Sequence, residues 1–371
     1  MDIPLFLLLC VALTAIAAAF ALQLEKAFVR FRIRKRYTAA LEAPSVSVCI
    51  PARNETHAMT RCLENVLAST YEKMEIIVFD DNSADDTSVL IKSFAHAGVR
   101  FVPGKELPED WLGKNHALDI LAGEASGTYI LFLDVDTLVK PTTISEVVGY
   151  AITEKLDMVS ILPRRNDTWR ASVLFAPLRF FWQVIFSRTS EPATSSGLWL
   201  VSRDVLQKEL GGLETFKTDV QVEASIASRL TTGRAHTLLS NDELGVSTEK
   251  KWSSQAETER RLLYPMTGGK WWQVTLAFLG LVLLNIPFFV VVSSLYFGWA
   301  EFQVSALWFM CVFMGLYGLY TARMWRSRWW LGALLWPVII FQELVLFMYS
   351  VYGYRTHSIT WKGRPVATYD R

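Results

Sequence analysis

Cysteine is scarce in this chain and poorly placed for chemistry. The four that occur, Cys10, Cys49, Cys62 and Cys311, have no ligand-like spacing, and two of them fall in long apolar stretches. Neither a zinc module nor a disulfide framework is encoded, and the thiols read as reduced and structural. Excess charge of one sign is also missing. With 37 Lys+Arg against 36 Asp+Glu the net charge is +1, and no aromatic-basic reader module is present. No nucleic-acid partner is therefore expected. The chain has no internal repeat and no low-complexity tract. It also has no glycine-rich phosphate loop with basic residues after its first predicted strand, which argues against a nucleotidyltransferase.

What is present in excess is apolar surface. Of 371 residues, 51% are hydrophobic and 13% aromatic, more than one soluble domain of ordinary composition needs. Residues 3–24, 271–300 and 302–322 contain no charged side chain, and about 20 apolar residues suffice to cross a bilayer as helix. A fourth run, 329–354, is interrupted by Pro337 and Glu343. The first run follows Asp2 rather than a basic head and has no clear small-x-small cleavage site, so it reads as a retained anchor rather than a signal peptide. Arg30, Arg32, Arg34, Lys35 and Arg36 come next. Positive charge beside a membrane segment marks the cytosolic side, and each cation there attracts anionic headgroups by about 1 kcal/mol. The expected protein is thus a multi-pass protein of the cell membrane whose polar middle faces the cytosol. Four crossings would put the tail on the opposite side, yet Arg355, Lys362 and Arg364 favour the cytosol. Residues 329–354 are therefore expected to be re-entrant or interfacial, or one other run does not cross.

The expected domains are an anchor and basic linker over 1–43, an α/β domain over 44–268, membrane helices over 269–354 and a cytosolic tail over 355–371. Within the α/β domain, strand-like runs at 45–50, 75–79, 99–102 and 128–133 alternate with helical patterns at 58–69, from Thr87 onward, and at 114–125, the signature of a parallel, Rossmann-like half. Residues 171–188, rich in Leu, Phe and Trp, are too apolar for an ordinary surface helix and too interrupted to span a bilayer. They are expected to form interfacial helices, with a core helix as the plain alternative.

The chemistry-bearing residues lie where these strands end. Asp134 and Asp136 close an apolar strand, and side chains two apart on an extended chain share a face. Two such carboxylates suit a hard divalent cation held against a diphosphate. Asp80 or Asp81, at the end of the second strand, suits the imide N–H of a uracil-like base. Asp219 and Glu223 are both candidates for a general base, and Asp219 is also a candidate N-cap of a helix over 220–230.

Pro51-Ala-Arg53-Asn-Glu55, Asp80-Asp81-Asn-Ser83, Trp111-Leu-Gly113-Lys114-Asn115, Asp134-Val-Asp136 and Thr218-Asp219, taken in this order and spacing, resemble family 2 glycosyltransferases. The likeness is to the bacterial membrane-bound enzymes that glycosylate carotenoids, hopanoids or ceramide, and it extends to Ile359-Thr-Trp361-Lys-Gly363-Arg364. It implies a GT-A Rossmann-like nucleotide-diphospho-sugar transferase domain carrying membrane helices. It further implies a nucleotide-sugar donor, a UDP-sugar first, with Mg2+ or Mn2+ on Asp136 and Asp134. Pro51, Arg53, Glu55, Asp80, Asp81, Lys114, Asp134, Arg260 and Arg261 would lie on the donor side, and Asp219 would be the catalytic base. Ser196, Gly197 and Trp199 would line the acceptor side, facing a membrane lipid in the bilayer. Thr218 stands where the family usually has Glu. Processive synthases carry Gln-x-x-Arg-Trp, whereas this chain has Glu257-x-x-Glu-Arg260-Arg261. That departure favours transfer of a single sugar. A processive polysaccharide synthase and a catalytically silent sugar-nucleotide scaffold are the alternatives.

Overall fold

The computed structural model describes residues 3–32, 43–166, 178–188, 192–230, 233–298 and 300–366. The chain divides into two compact units. One comprises Arg30–Arg165 and Ser187–Glu249, the other Met1–Val29, Asn166–Phe186 and Lys250–Arg371. The single domain expected over 44–268 thus gives up residues 166–186 and 250–268 to the helical unit. Apolar helices draw these two segments away from the α/β sequence that encloses them, an effect local periodicity does not report.

The first unit is built on a mixed sheet of seven strands in the order β3-β2-β1-β4-β8-β6-β9. These are β1 (Val46–Ala52), β2 (Met74–Asp80), β3 (Val99–Pro103), β4 (Tyr129–Leu133), β6 (Met158–Leu162), β8 (Leu198–Ser202) and β9 (Ala235–Leu239). β3, β2, β1 and β4 run parallel. β8 lies antiparallel between β4 and β6. The parallel strands read as unbroken apolar runs because helices cover both of their faces. α2 (Thr56–Leu67) places Met59, Leu63 and Val66 against Val48 and Ile50 on one face. α4 (Gly113–Glu124) places Leu118 and Leu121 against Cys49, Ile77 and Phe132 on the other. All of these residues are nearly inaccessible, and each large side chain so buried contributes about 1.5–3 kcal/mol. α3 (Thr87–Ser93) and α5 (Thr143–Thr153) complete the crossovers. The strand and helix limits fall within two residues of those read from the sequence.

A second sheet joins three two-residue strands, β5 (Thr137–Leu138), β7 (Arg164–Arg165) and β10 (Ser247–Thr248). It pairs Thr137 with Thr248, and Thr248 with Arg165. Thus a segment more than a hundred residues away backs the turn that carries Asp136.

The helical unit contains α1 (Ile3–Arg30), α6 (Arg179–Phe186), α8 (Trp252–Met266), α9 (Trp271–Phe297), α10 (Ala300–Met324), α11 (Trp329–Leu334) and α12 (Trp336–Arg355). Four of these helices are long and apolar enough to cross a membrane: α1, α9, α10 and α12. The interrupted fourth run breaks at Leu335, and Pro337 sits in the first turn of α12, where a missing N–H costs nothing. Large apolar side chains face outward from these helices, among them Leu7, Leu8 and Val11 of α1 and Tyr296 and Phe297 of α9. The expectation of exposed interfacial aromatics in 171–188 is corrected here. Residues 171–177 lie outside the described residues, but Phe181 and Trp182 of α6 are 1% and 7% exposed. Phe181 packs edge-on against Trp182, Tyr317, Tyr320 and Trp336 at 5.2–5.8 Å. Glu343 of α12, fully buried, accepts hydrogen bonds from Trp182 Nε1 at 2.8 Å and from the Leu178 N–H at 3.2 Å. Phe181 and Trp182 therefore serve the interior of the helical unit, where edge-to-face rings add about 0.5–1.5 kcal/mol per pair, while Phe186 of the same helix is 65% exposed. Arg34, Lys35 and Arg36 of the basic linker, and the last five residues of the tail, lie outside the described residues.

Candidate active site

The carboxyl ends of the parallel strands gather most of the residues expected on the donor side, as open α/β sheets dictate. After β1, the Arg53 guanidinium donates to the Asp81 carbonyl at 2.5 Å and lies 3.8 Å from the Asp81 carboxylate. The Asp81 N–H in turn donates to the Ala52 carbonyl at 2.8 Å, which locks the loops after β1 and β2 together. Pro51 pairs in register with Phe79, and Glu55 starts α2 with its backbone carbonyl. The two aspartates after β2 have separate jobs. Asp80 Oδ1 accepts from Ser83 Oγ at 2.5 Å, and its Oδ2 accepts from Ser88 Oγ. It is 4% exposed and serves the loop itself. The following Asp85 is partly desolvated, but hydrogen bonds from Thr56 and Thr87 outweigh that and hold its carboxyl down to about 2.

Lys114, in the first turn of α4, reaches back to Asp134, Nζ to Oδ1 at 2.5 Å. Ser196 Oγ donates to the other oxygen at 3.1 Å, and the Asp134 N–H donates to the Gly197 carbonyl at 2.9 Å. The chain turns directly after Asp134, since the Thr137 N–H donates to the Asp134 carbonyl at 2.9 Å. The two aspartates therefore sit in a tight turn and not on an extended strand as expected, because β5 must break away to join the small sheet. Val135, 3% exposed, anchors the turn in the core between two half-exposed carboxylates. The Asp136 carbonyl is held from behind by Thr248 Oγ1 at 3.3 Å and the Glu249 N–H at 3.4 Å.

Burial first, and then the negative charge of Asp136, Glu55 and Asp134, pushes the Cys62 thiol well up from its ordinary range. The three do not form a cage. Among the described residues no group of three or more His, Cys, Asp or Glu side chains converges to hold an ion. Hard oxygen donors in so small a number fit a divalent cation that keeps water and takes its remaining ligands from substrate phosphate. Asp134 is paired with Lys114.

Asp219 is half-buried, in a turn whose N–H donates to the Phe216 carbonyl at 3.0 Å. Its carboxylate makes no hydrogen bond or ion pair with a described residue. The capping role considered for it does not hold, because α7 (Val222–Arg229) begins later and Gln221 is its N-cap. Glu223, 4% exposed, lies in the first turn of α7, where the helix dipole favours negative charge.

Two acceptor-side expectations are corrected. Trp199 is fully buried and stacks on Phe132 at 4.3 Å, because its position on β8 points into the core. Gly197 is buried, and a Cβ there would stand 2.9 Å from Thr137 Oγ1. The close approach that requires glycine is thus made by the protein's own Thr137. Ser196, half-exposed and bound to Asp134, remains at the site. Arg260 and Arg261 belong to the helical unit. There the Arg260 guanidinium lies 5.6 Å from the Tyr349 ring and that of Arg261 5.3 Å from Trp361.

The mixed sheet of this order, with helices on both faces, is a GT-A-like architecture. Residues 47–210 match the model for glycosyl transferase family 2. Over 111 residues the chain is 33% identical to the UDP-Glc:alpha-D-GlcNAc-diphosphoundecaprenol beta-1,3-glucosyltransferase WfaP of Escherichia coli, covering 30% of this chain and 43% of the relative. Over 113 residues it is 34% identical to a poly-beta-1,6-N-acetyl-D-glucosamine synthase of Staphylococcus aureus, covering 30% of this chain and 26% of the relative. The chain therefore spans less than half the length of either relative. Among solved structures, a mannosyltransferase from Pyrobaculum calidifontis in complex with GDP-Man and Mn2+ has a TM-score of 0.57 at 18% identity, covering 94% of this chain and 98% of that one. At that identity the likeness is one of fold.

Proposed function

We propose that this protein is an inverting glycosyltransferase held in the cell membrane, moving one sugar from a nucleotide-sugar donor to a hydroxyl of a membrane lipid. The observation that carries the reading is the pairing of two features in one chain. A family 2 domain presents Asp136 and a Lys114–Asp134 pair at its strand ends, and four helices are apolar enough to hold it in a bilayer. The relative acting on a diphosphoundecaprenol-linked sugar supports a lipid acceptor. The catalytic domain faces the cytosol, where Arg30 ends the first helix and Arg32 follows it and where nucleotide-sugars are made.

In this reading Asp81, braced by Arg53, recognises the base of a UDP-type donor, since both Asp80 oxygens are engaged by serines. Lys114 turns from Asp134 to the diphosphate. A divalent cation, Mg2+ or Mn2+, would be held by Asp136 with Asp134 beside it and would neutralise the departing nucleotide diphosphate. Asp219 takes the proton of the acceptor hydroxyl. The oxygen bonds to the anomeric carbon on the face opposite the leaving group, the sugar–phosphate C–O bond breaks, and the anomeric centre inverts. Ser196 lies on the acceptor side.

A second reading, processive synthesis, is favoured by the poly-N-acetylglucosamine synthase relative and opposed by the absence of Gln-x-x-Arg-Trp. One experiment tests both. The full chain in nanodiscs made with bacterial lipid extract is incubated with radiolabelled nucleotide-sugars, and the products are analysed by mass spectrometry. A lipid heavier by one hexose-type unit supports single transfer, a ladder of masses supports polymer growth, and unchanged lipids with every donor refute the reading.

A further inference from the structure

Asn115 of the Trp111-Leu-Gly-Lys-Asn115 motif is 4% exposed. Its Nδ2 donates to the carbonyls of Phe216 at 2.9 Å, Lys217 at 3.1 Å and Asp219 at 2.9 Å. These acceptors lie 101–104 residues away in sequence and form the loop that carries the candidate base. The Leu112 N–H adds a parallel bond to the Lys217 carbonyl at 3.0 Å. Phe216, fully buried against α4, fixes one end of the loop. The other end, at Asp219, is fixed by the Asn115 amide and by its own turn bond to Phe216.

We propose that Asn115 is a positioning residue that sets Asp219 relative to the donor-phosphate side of the site. The inference rests on the reading of Asp219 as base. The residue next to it, Lys114, grips Asp134 from the same helical turn, so one rigid element registers the leaving-group side and the base side against each other. The side-chain type follows from the geometry. Three converging carbonyls need a short side chain with more than one N–H, and Asn supplies two. Asp in that place would supply none and would set a carboxylate against three carbonyl oxygens. Ser would supply one, and Gln would overreach by a methylene. The same short tether holds the loop beneath a half-exposed carboxylate that has no partner among the described residues. Misplacing a catalytic group by about 1 Å costs on the order of 10²-fold in rate.

The test uses the full chain in nanodiscs, with Asn115→Ala, Asn115→Asp and Asn115→Ser compared with Asp219→Asn. UDP affinity, donor KM, kcat for lipid transfer and unfolding temperature are measured for each. The expected result is UDP affinity and donor KM within about twofold of native, with kcat lowered roughly 10- to 100-fold, Asp being worst and Ser recovering part of the loss. A purely structural role would lower affinity, kcat and unfolding temperature together, and that outcome, or native kcat in the Ala and Asp variants, overturns the proposal. If Asp219→Asn keeps its turnover, it is the assignment of the base that fails, whatever the Asn115 variants do.

Discussion

Lys114→Met removes one partner of a 2.5 Å ion pair whose side chains are 15% and 24% exposed. Both lie below the exposure at which solvent makes such pairs nearly worthless, a regime of about 0–1 kcal/mol. Neither is so deeply enclosed that the full 3–5 kcal/mol for breaking a buried pair applies. Because Ser196 still donates to Asp134, the expected destabilisation is about 1–3 kcal/mol. At about 2–4 °C per kcal/mol for a domain of this size, that is a drop of a few degrees to about 10 °C. A charge-assisted contact from Lys114 to the donor diphosphate is worth about 1.5–3 kcal/mol, so UDP affinity should fall roughly 10- to 100-fold. The double variant Lys114→Met/Asp134→Asn separates the two effects, since it removes the orphaned charge without restoring a cation. Its unfolding temperature should return toward native while its UDP affinity stays low. Calorimetric titration and thermal unfolding in nanodiscs read both quantities. Recovery of affinity in the double variant, or native affinity in the single one, would refute a phosphate role for Lys114 and leave the pair as a loop brace.

Four other outcomes are expected. Asp136→Asn, nearly isosteric, should leave the domain folded and abolish both transfer and the Mn2+ dependence of UDP binding, checked by titration with and without EDTA. Asp219→Asn should bind UDP normally and lose at least about 10²-fold in kcat, whereas Glu223→Gln should be milder; the reverse order in the same assay makes Glu223 the base. Burial lowers the His236 pKa, with nearby Glu154 opposing it. The unfolded chain therefore binds this proton more readily than the folded one, so stability should fall as pH drops through the ordinary histidine range of about 6.5, and His236→Phe should flatten that slope in thermal unfolding. Phe181→Ser should destabilise the helical unit by about 3–5 kcal/mol, as for other large buried aromatics cut short, and lower donor hydrolysis and lipid transfer in parallel, in contrast to a lipid-contacting side chain, whose loss would spare hydrolysis.

The α/β architecture was legible because its determinants are local. Buried parallel strands need continuous apolar runs, helices between them need a 3.6-residue period, and both patterns are printed in residues 45–133. The clustering of Arg53, Asp80, Asp81 and Asp134 at strand ends followed from the same logic, since strand ends are where side chains leave the core. The helices apolar enough to cross a membrane were legible for the simplest reason, a long stretch of apolar sequence. What sequence position could not convey was the direction in which an apolar side chain faces when several surfaces compete for it. Trp199 and Phe181 look like ligand- or lipid-facing aromatics, and both proved to be interior, the first on Phe132 and the second among rings from three apolar helices.

The sequence by itself determined the fold class, the family 2 motifs and the supply of carboxylates and cations, because each depends on residue type and short spacing. Only the tertiary structure decided how those residues divide their work. Asp80 is occupied by Ser83 and Ser88 while Asp81 stays with Arg53, Lys114 pairs with Asp134, and Asn115 reaches across more than a hundred residues to the Asp219 loop. Each of those assignments rests on a hydrogen bond or ion pair between residues well apart along the chain or turned toward one neighbour among several, and such pairings exist only once the sheet order has brought the loops together.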